Sequence, residues 1–281
     1  DGTVWATPGY DPQTGMLLAA RGALPAIPAA PTVEHARAAL EVLRALLAGY
    51  RWADEFSESV ALSLILTKVA RHLMPTAPLH LLTSPTAGSG KTQITEAASL
   101  IADGVHPSLS SWPGDDDEMR KVISAALLAG ESFICFDNIA NGRTLRSAAL
   151  DRTLTAPVVA DRRLGTSETM TLVNGATWCA TGNNVTPCAD MVRRVIVSRI
   201  DPCTERPWER PFAWTPAQYA REHRAELLAA ALIVLAAHLR ANPGPLAPPM
   251  QSFGDWSRIV RDALLWLGLP DAVRSQDAIA D

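Results

Sequence analysis

Only three lysines stand among the 25 basic residues of this 281-residue chain, and its other scarcities are equally informative. Positive charge is not in excess. The 25 Lys and Arg face 29 Asp and Glu, a formal charge of −4, so no global field draws the protein onto nucleic acid and any polyanion site must be a local patch. The four cysteines, Cys135, Cys179, Cys188 and Cys203, form no CxxC pair and have no histidine at ligand spacing. Buried thiols in a reducing cytosol are expected, rather than a disulfide or a zinc site. The longest apolar run, Leu227 to Leu239, falls short of the roughly 20 residues that a membrane span requires. The opening "DGTVWATPGYDPQTG" is polar and turn-rich, unlike a signal peptide, and the abrupt start and end are those expected of a piece of a longer polypeptide. No internal repeat is present. What remains is ordinary globular composition, 48% hydrophobic and 19% charged.

Four segments follow from the patterning. Residues 1–31, rich in Pro, Gly and Ala, read as an extended lead-in. Residues 32–76 read as a helical layer: Val33, Ala36, Leu40, Leu43 and Leu47 recur at helical spacing before Gly49, and a second helix runs from about Asp54 to Met74, ended by Pro75. Over 77–203 short apolar runs alternate with helical stretches: "LHLLTS" (79–84), "SFICFD" (132–137), "TWCAT" (177–181) and "RVIVSRI" (194–200). That alternation predicts an α/β fold, a central, mostly parallel sheet flanked by helices. Residues 204–281 read as a helical subdomain. A long apolar helix over about Pro216–Arg240 and the linker "NPGPLAPP" lead to a last helix over Asp255–Leu267.

The stretch "SPTAGSGKT" (84–92) explains why one lysine is kept. Thr86, Ala87, Gly88, Ser89 and Gly90 carry little bulk, so their backbone N–H groups can converge on a phosphate, and the helix starting near Lys91 adds its positive end. The compact Lys91 ammonium then reaches the β/γ-phosphates of ATP, where a planar guanidinium fits poorly, and the Thr92 hydroxyl ligates Mg²⁺. The usual pattern is GxxxxGK[ST]; here Pro85 occupies the place of its first glycine.

A nucleotide site needs partners. In "ESFICFDNI" the apolar run brings Asp137 to the C-terminal end of a strand, where it can hold Mg²⁺ directly or through water. The next residue is Asn138, where many motors place a glutamate. Asparagine can orient water but accepts no proton, so hydrolysis is slow, or the base lies elsewhere, or phosphate takes the proton. Glu118 in "DDDEMRK" is a substitute base, though acids at that place also suit a solvated helix start. The strand "TWCAT" ends in "GNN", which sets Asn183, with Asn184 as the alternate, beside Asp137 to position water against the γ-phosphate. In "DMVRRVIVSRID", Arg193 and Arg194, with Arg199 third, are candidates to stabilise a transferring phosphoryl group in a neighbouring subunit.

Taken in order, "SPTAGSGKT", "FICFDNI", "CATGNN" and "MVRRVIVSRID" resemble the AAA+ helicase domains of phage- and plasmid-encoded primase–helicases, which are close to the superfamily 3 helicases. The resemblance covers about residues 80–201, and "SFGDWSRIVRDALLWLGLPD" and "TPGYDPQTG" also look like flanks found in such proteins. Pro85 and Asn138 depart from the pattern. The resemblance implies an AAA+ P-loop NTPase driven by ATP and Mg²⁺, assembled as a homo-hexameric ring on single-stranded or forked DNA. It also implies a primase domain or replication initiator as partner. It further implies a β-hairpin carrying basic residues into the central pore; the matching segment is 156–177, with Arg162 and Arg163 near the tip. A slow-hydrolysing helicase loader and an ATP-dependent assembly module are the alternatives to a motor.

Overall fold

The computed structural model describes residues 2–12, 14–19, 26–162, 168–204, 206–209 and 214–277. Strands β1 (Gly9–Asp11) and β2 (Met16–Leu18) pair antiparallel, so the lead-in holds a small hairpin where only extended chain was expected. Helix α1 (Val33–Leu46) buries Ala36, Ala39, Leu40, Leu43 and Leu46 on one stripe, as its spacing requires. Helix α2 (Ser57–Ala70) starts later than Asp54 because that carboxylate accepts hydrogen bonds from the amides of Phe56 and Ser57, holding a turn ahead of the helix. It is buried almost all round, as expected of a helix apolar on every face.

Next come β3 (Leu79–Ser84), α3 (Lys91–Asp103), β4 (Ser108–Ser110), α4 (Asp116–Leu128) and β5 (Phe133–Ile139). They are followed by β6 (Thr144–Leu145), α5 (Ala148–Leu154), the pair β7 (Val158–Arg162) and β8 (Thr169–Val173), and β9 (Thr177–Asn183). Then β10 (Thr186–Pro187) lies beside β6, and β11 (Val195–Arg199) ends the strands. Five strands make the central sheet, in the order β11-β3-β9-β5-β4, every pair parallel. All six residues of β3 are buried, as parallel strands covered on both faces demand. The architecture is that of a P-loop NTPase-like α/β fold.

Beyond the sheet, the single helix expected over Pro216–Arg240 is two, α6 (Pro216–Glu222) and α7 (Arg224–Ala241), separated at His223, whose φ of −111° and ψ of 23° leave the helical region. The last helix is broken as well: α8 (Gly254–Trp256) and α9 (Asp262–Trp266) flank a π-helical turn over Ser257–Arg261. One cluster of buried side chains runs from Ala39 to Ala272, so the boundaries at 76/77 and 203/204 mark changes of secondary structure across which the core continues. Helix α7 lies along α1, while α2 packs on α3 and β11.

Helix α3 is gripped at its far end. Gly104 closes it in the left-handed conformation (φ 75°), and Arg224 from α7 donates to the carbonyls of Leu100 and Ala102, both at 2.9 Å. Buried Lys68 from α2 pairs with Asp103 at 2.7 Å. No helix among the described residues is long and apolar enough to cross a membrane.

Candidate functional site

The C-terminal ends of β3, β5 and β9 meet at a cavity of about 400 Å³, lined by Ala87, Gly88, Ser89, Gly90, Lys91 and Thr92 on one side and by Asp137, Asn138, Thr181 and Asn183 on the other. The expected cradle and its acidic partner therefore lie together. Gly88 (φ 71°) and Gly90 (φ 88°) carry the left-handed backbone that bends the loop. Pro85 does not prevent the turn; β3 ends at Ser84, whose hydroxyl accepts from the Thr86 amide at 3.3 Å.

Lys91 is the first residue of α3, and its ammonium folds back over the loop. It donates to Asn183 Oδ1 (2.7 Å), Ser89 Oγ (3.0 Å) and the Thr86 carbonyl (3.4 Å). None of these partners carries charge, and Lys91 forms no ion pair among the described residues. Burial pulls its pKa down to about 8, with Asp137 opposing the shift. A buried cation, only partly compensated by Asp137, beside the amides of the loop is a place for an anion.

Thr92 donates from Oγ1 to Asp137 Oδ1 at 2.8 Å, and Thr181 donates to the same oxygen at 2.6 Å. The pairing of β5 with β9 shifts between Phe136 and Ile139, a bulge at Asp137 and Asn138. Thr181 fills it, since its Oγ1 also accepts from the Asn138 amide at 3.0 Å. Asn138 sits at φ 53°, a conformation asparagine tolerates far better than glutamate. The departure from the usual glutamate thus has a backbone reason as well as a chemical one. The donors suit Mg²⁺: a hydroxyl and a carboxylate oxygen in contact, with phosphate oxygens left to complete the shell.

Asn183 lines the cavity; Asn184 does not. Its side chain donates to Asn141 Oδ1 at 3.0 Å, and its φ of 48° makes it the turn residue. Gly182 keeps the strand end close, because a Cβ there would lie 2.9 Å from the Ile139 carbonyl oxygen. Glu118 is outside the cavity. Its amide is capped by Asp115 at the start of α4 and its carboxylate pairs with Lys121, so it serves the helix start.

The paired arginines part company. Arg194 turns inward to an ion pair with Asp151 of α5, both side chains only 15% exposed. Arg193 is half exposed and, among the described residues, its ion-pair partner is Asp190, three residues back, at 3.2 Å. Arg199 pairs with Asp54 at 3.4 Å. The expected hairpin is present: β7 and β8 pair from Val158↔Val173 to Arg162↔Thr169. Toward the tip end of β7, Arg120 and Ser124 of α4 are both bonded to Asp161. The Arg162 side chain and all of Arg163 lie outside the described residues.

Tyr50 was not anticipated. The segment Arg51–Ala53 pairs with the end of β11, Ala53 N donating to Arg199 O and Asp201 N to Arg51 O. This brings Tyr50, stacked on Trp52, against the phosphate loop, where its hydroxyl donates to the Gly90 carbonyl at 2.8 Å. Only its place just past the Gly49 stop hinted at it, and no local motif pairs residues 40 apart.

No family model matches the sequence, and no curated protein matches it. Among solved structures the chain is similar to the C-terminal region of NrS-1 in an apo form, at 15% identity over 68% of this chain and 44% of that one, with a TM-score of 0.43. It is also similar to JCV helicase bound to a thiazolopyridine compound, at 12% identity over 83% of this chain and 67% of that one, with a TM-score of 0.35. The chain spans less than half of the NrS-1 structure it matches.

Proposed function

We propose that the chain is an AAA+ motor segment that binds ATP with Mg²⁺, hydrolyses it, and drives a DNA helicase or translocase in the replication of a phage, prophage or plasmid. The observation that carries the reading is Lys91: a buried ammonium, without a carboxylate partner, set inside the loop 86–92 and one residue from the Thr92–Asp137 contact. Phosphate oxygens would take the place of Asn183, Ser89 and the Thr86 carbonyl around that ammonium. Thr92 and Asp137 would hold Mg²⁺, which would supply charge neutralisation to the phosphates. Asn183, released from Lys91, would orient the attacking water, and Arg193 of one subunit would face the site of the next in a ring of copies. The basic hairpin tip would contact single-stranded DNA.

A second reading has its own observation. Asp137 is the one carboxylate among the residues lining the cavity, and Asn138 beside it accepts no proton. That favours a loader or switch that turns ATP over slowly. Calorimetry with Mg²⁺–ATP tests the shared premise: Lys91→Met abolishes binding, and an unchanged affinity would overturn the site. ATP turnover with and without single-stranded DNA, followed by strand displacement on a forked substrate, separates the motor from the switch. Turnover indifferent to DNA and no displacement would leave the switch or the assembly module.

A further inference from the structure

Thr181 stands on β9, the middle strand of the central sheet, and is 1% exposed. A hydroxyl so placed needs partners, and in a regular ladder it would take none of the backbone pairing. Here the ladder is not regular. Phe136 pairs with Ala180 and Ile139 with Gly182, so β5 carries one residue more than β9 across this stretch. The extra residue takes the Asn138 amide off the ladder, and Thr181 Oγ1 accepts from it at 3.0 Å. The same hydroxyl has one proton, which it donates to Asp137 Oδ1 at 2.6 Å. One side chain therefore fixes both the backbone of the bulge and the carboxylate beside it.

The two bonds on Asp137 Oδ1 come from different parts of the fold. Thr92 donates at 2.8 Å from α3, at the end of the phosphate loop, and Thr181 donates from the sheet, where it is in register with Leu82 of β3 on its other side. Together they fill the two lone pairs of Oδ1. Oδ2 makes no hydrogen bond among the described residues, and Asp137 lines the cavity. A carboxylate held by Thr92 alone could turn about its Cβ–Cγ bond and exchange its oxygens. The second bond, anchored in the sheet, removes that freedom, as groups behind a metal ligand commonly do.

We propose that Thr181 is a positioning residue for the cation: its hydroxyl keeps Asp137 Oδ1 turned to the two threonines and leaves Oδ2 for Mg²⁺. The inference rests on the nucleotide reading of this cavity and adds to it a residue that lies outside both the phosphate loop and the strand carrying the aspartate. Thr181→Val keeps the shape of the side chain and removes both of its bonds.

Calorimetric titration of the full chain with ATP, once in Mg²⁺ and once in EDTA, reads the gain in affinity that the metal gives. Thr181→Val is expected to cut that gain about tenfold, and Thr181→Ser, which retains the hydroxyl, to keep it within about twofold of the parent. A part played only in folding would weaken ATP alike in both buffers and leave the gain as it was. Should the valine variant fail to fold, Thr181→Ala, with room for a water beside the Asn138 amide, is expected to show the same loss. The inference alone is overturned by a valine or alanine variant that keeps the parent's gain, or by a serine variant that loses as much as valine does. A parent that binds no ATP in either buffer overturns the nucleotide reading and the inference with it.

Discussion

Replacing Lys91 by methionine is expected to stabilise the nucleotide-free protein while ending its capacity for nucleotide. The ammonium's pKa falls from 10.5 to about 8, chiefly by burial. That lowering corresponds to about 3 kcal/mol of disfavoured charge in the folded state. Methionine fills similar space without charge, and lost contacts with Asn183 and Ser89 return about 1 kcal/mol of that gain. The net is about 2 kcal/mol, or roughly 3–4 °C in thermal midpoint for a chain of 281 residues. The sign of the pH dependence follows from the lowered folded-state value. Below pH 8 the lysine is charged in both states and the full penalty stands. Between about pH 8 and 10.5 the unfolded state holds more protons, so the parent gains stability with rising pH and the variant's advantage shrinks. Thermal unfolding from pH 7 to 10 without nucleotide reads both effects. A variant no more stable than the parent at pH 7, or an advantage that stays constant to pH 10, would refute the account of a desolvated cation held ready for phosphate.

Other outcomes follow from the same contacts. Tyr50→Phe removes the hydrogen bond to the Gly90 carbonyl and is expected to weaken ATP binding several-fold with less than about 1.5 kcal/mol lost in stability; unchanged affinity would leave Tyr50 as packing alone. Arg194→Ala strands Asp151 in a mostly buried place and should cost about 3 kcal/mol by denaturant titration, whereas Arg193→Ala should stay within about 0.5 kcal/mol. In mixtures of Arg193→Ala with parent subunits, ATPase activity should fall more steeply than the parent fraction, and strict proportionality would argue against a shared site. Asn138→Gly should match the parent in stability and Asn138→Glu should lose about 1 kcal/mol or more, because the position holds φ 53°.

The elements near the site were legible because their signals are local. The apolar run at 79–84 became β3 without a residue's difference, and α3 ended at Asp103 before Gly104 as its stop signal required. The place of Asn183 at the strand end favours it over Asn184, and the structure adds the reason: Asn183 meets Lys91 while Asn184 makes the turn. Arg193 and Arg194 look alike in sequence; Asp151, some 40 residues earlier, decides between them. The break at His223 has no proline or glycine to announce it, and Arg224 just after it is engaged by carbonyls of a distant helix. Tyr50 reaches Gly90 through pairing at the sheet edge, which no periodicity encodes. Long-range contact chose among residues that local pattern had made equivalent.

The clasp on α3 gives that helix the character of a connecting rod. Its leading residue is Lys91, and its trailing carbonyls are gripped by Arg224 while Asp103 is tied to Lys68. A rod held at its tail cannot dissipate a shift at its head by unravelling. If the proposed site takes up phosphate, a displacement at Lys91 would be carried by this helix toward α7 and, through their packing, toward α1, well outside the sheet.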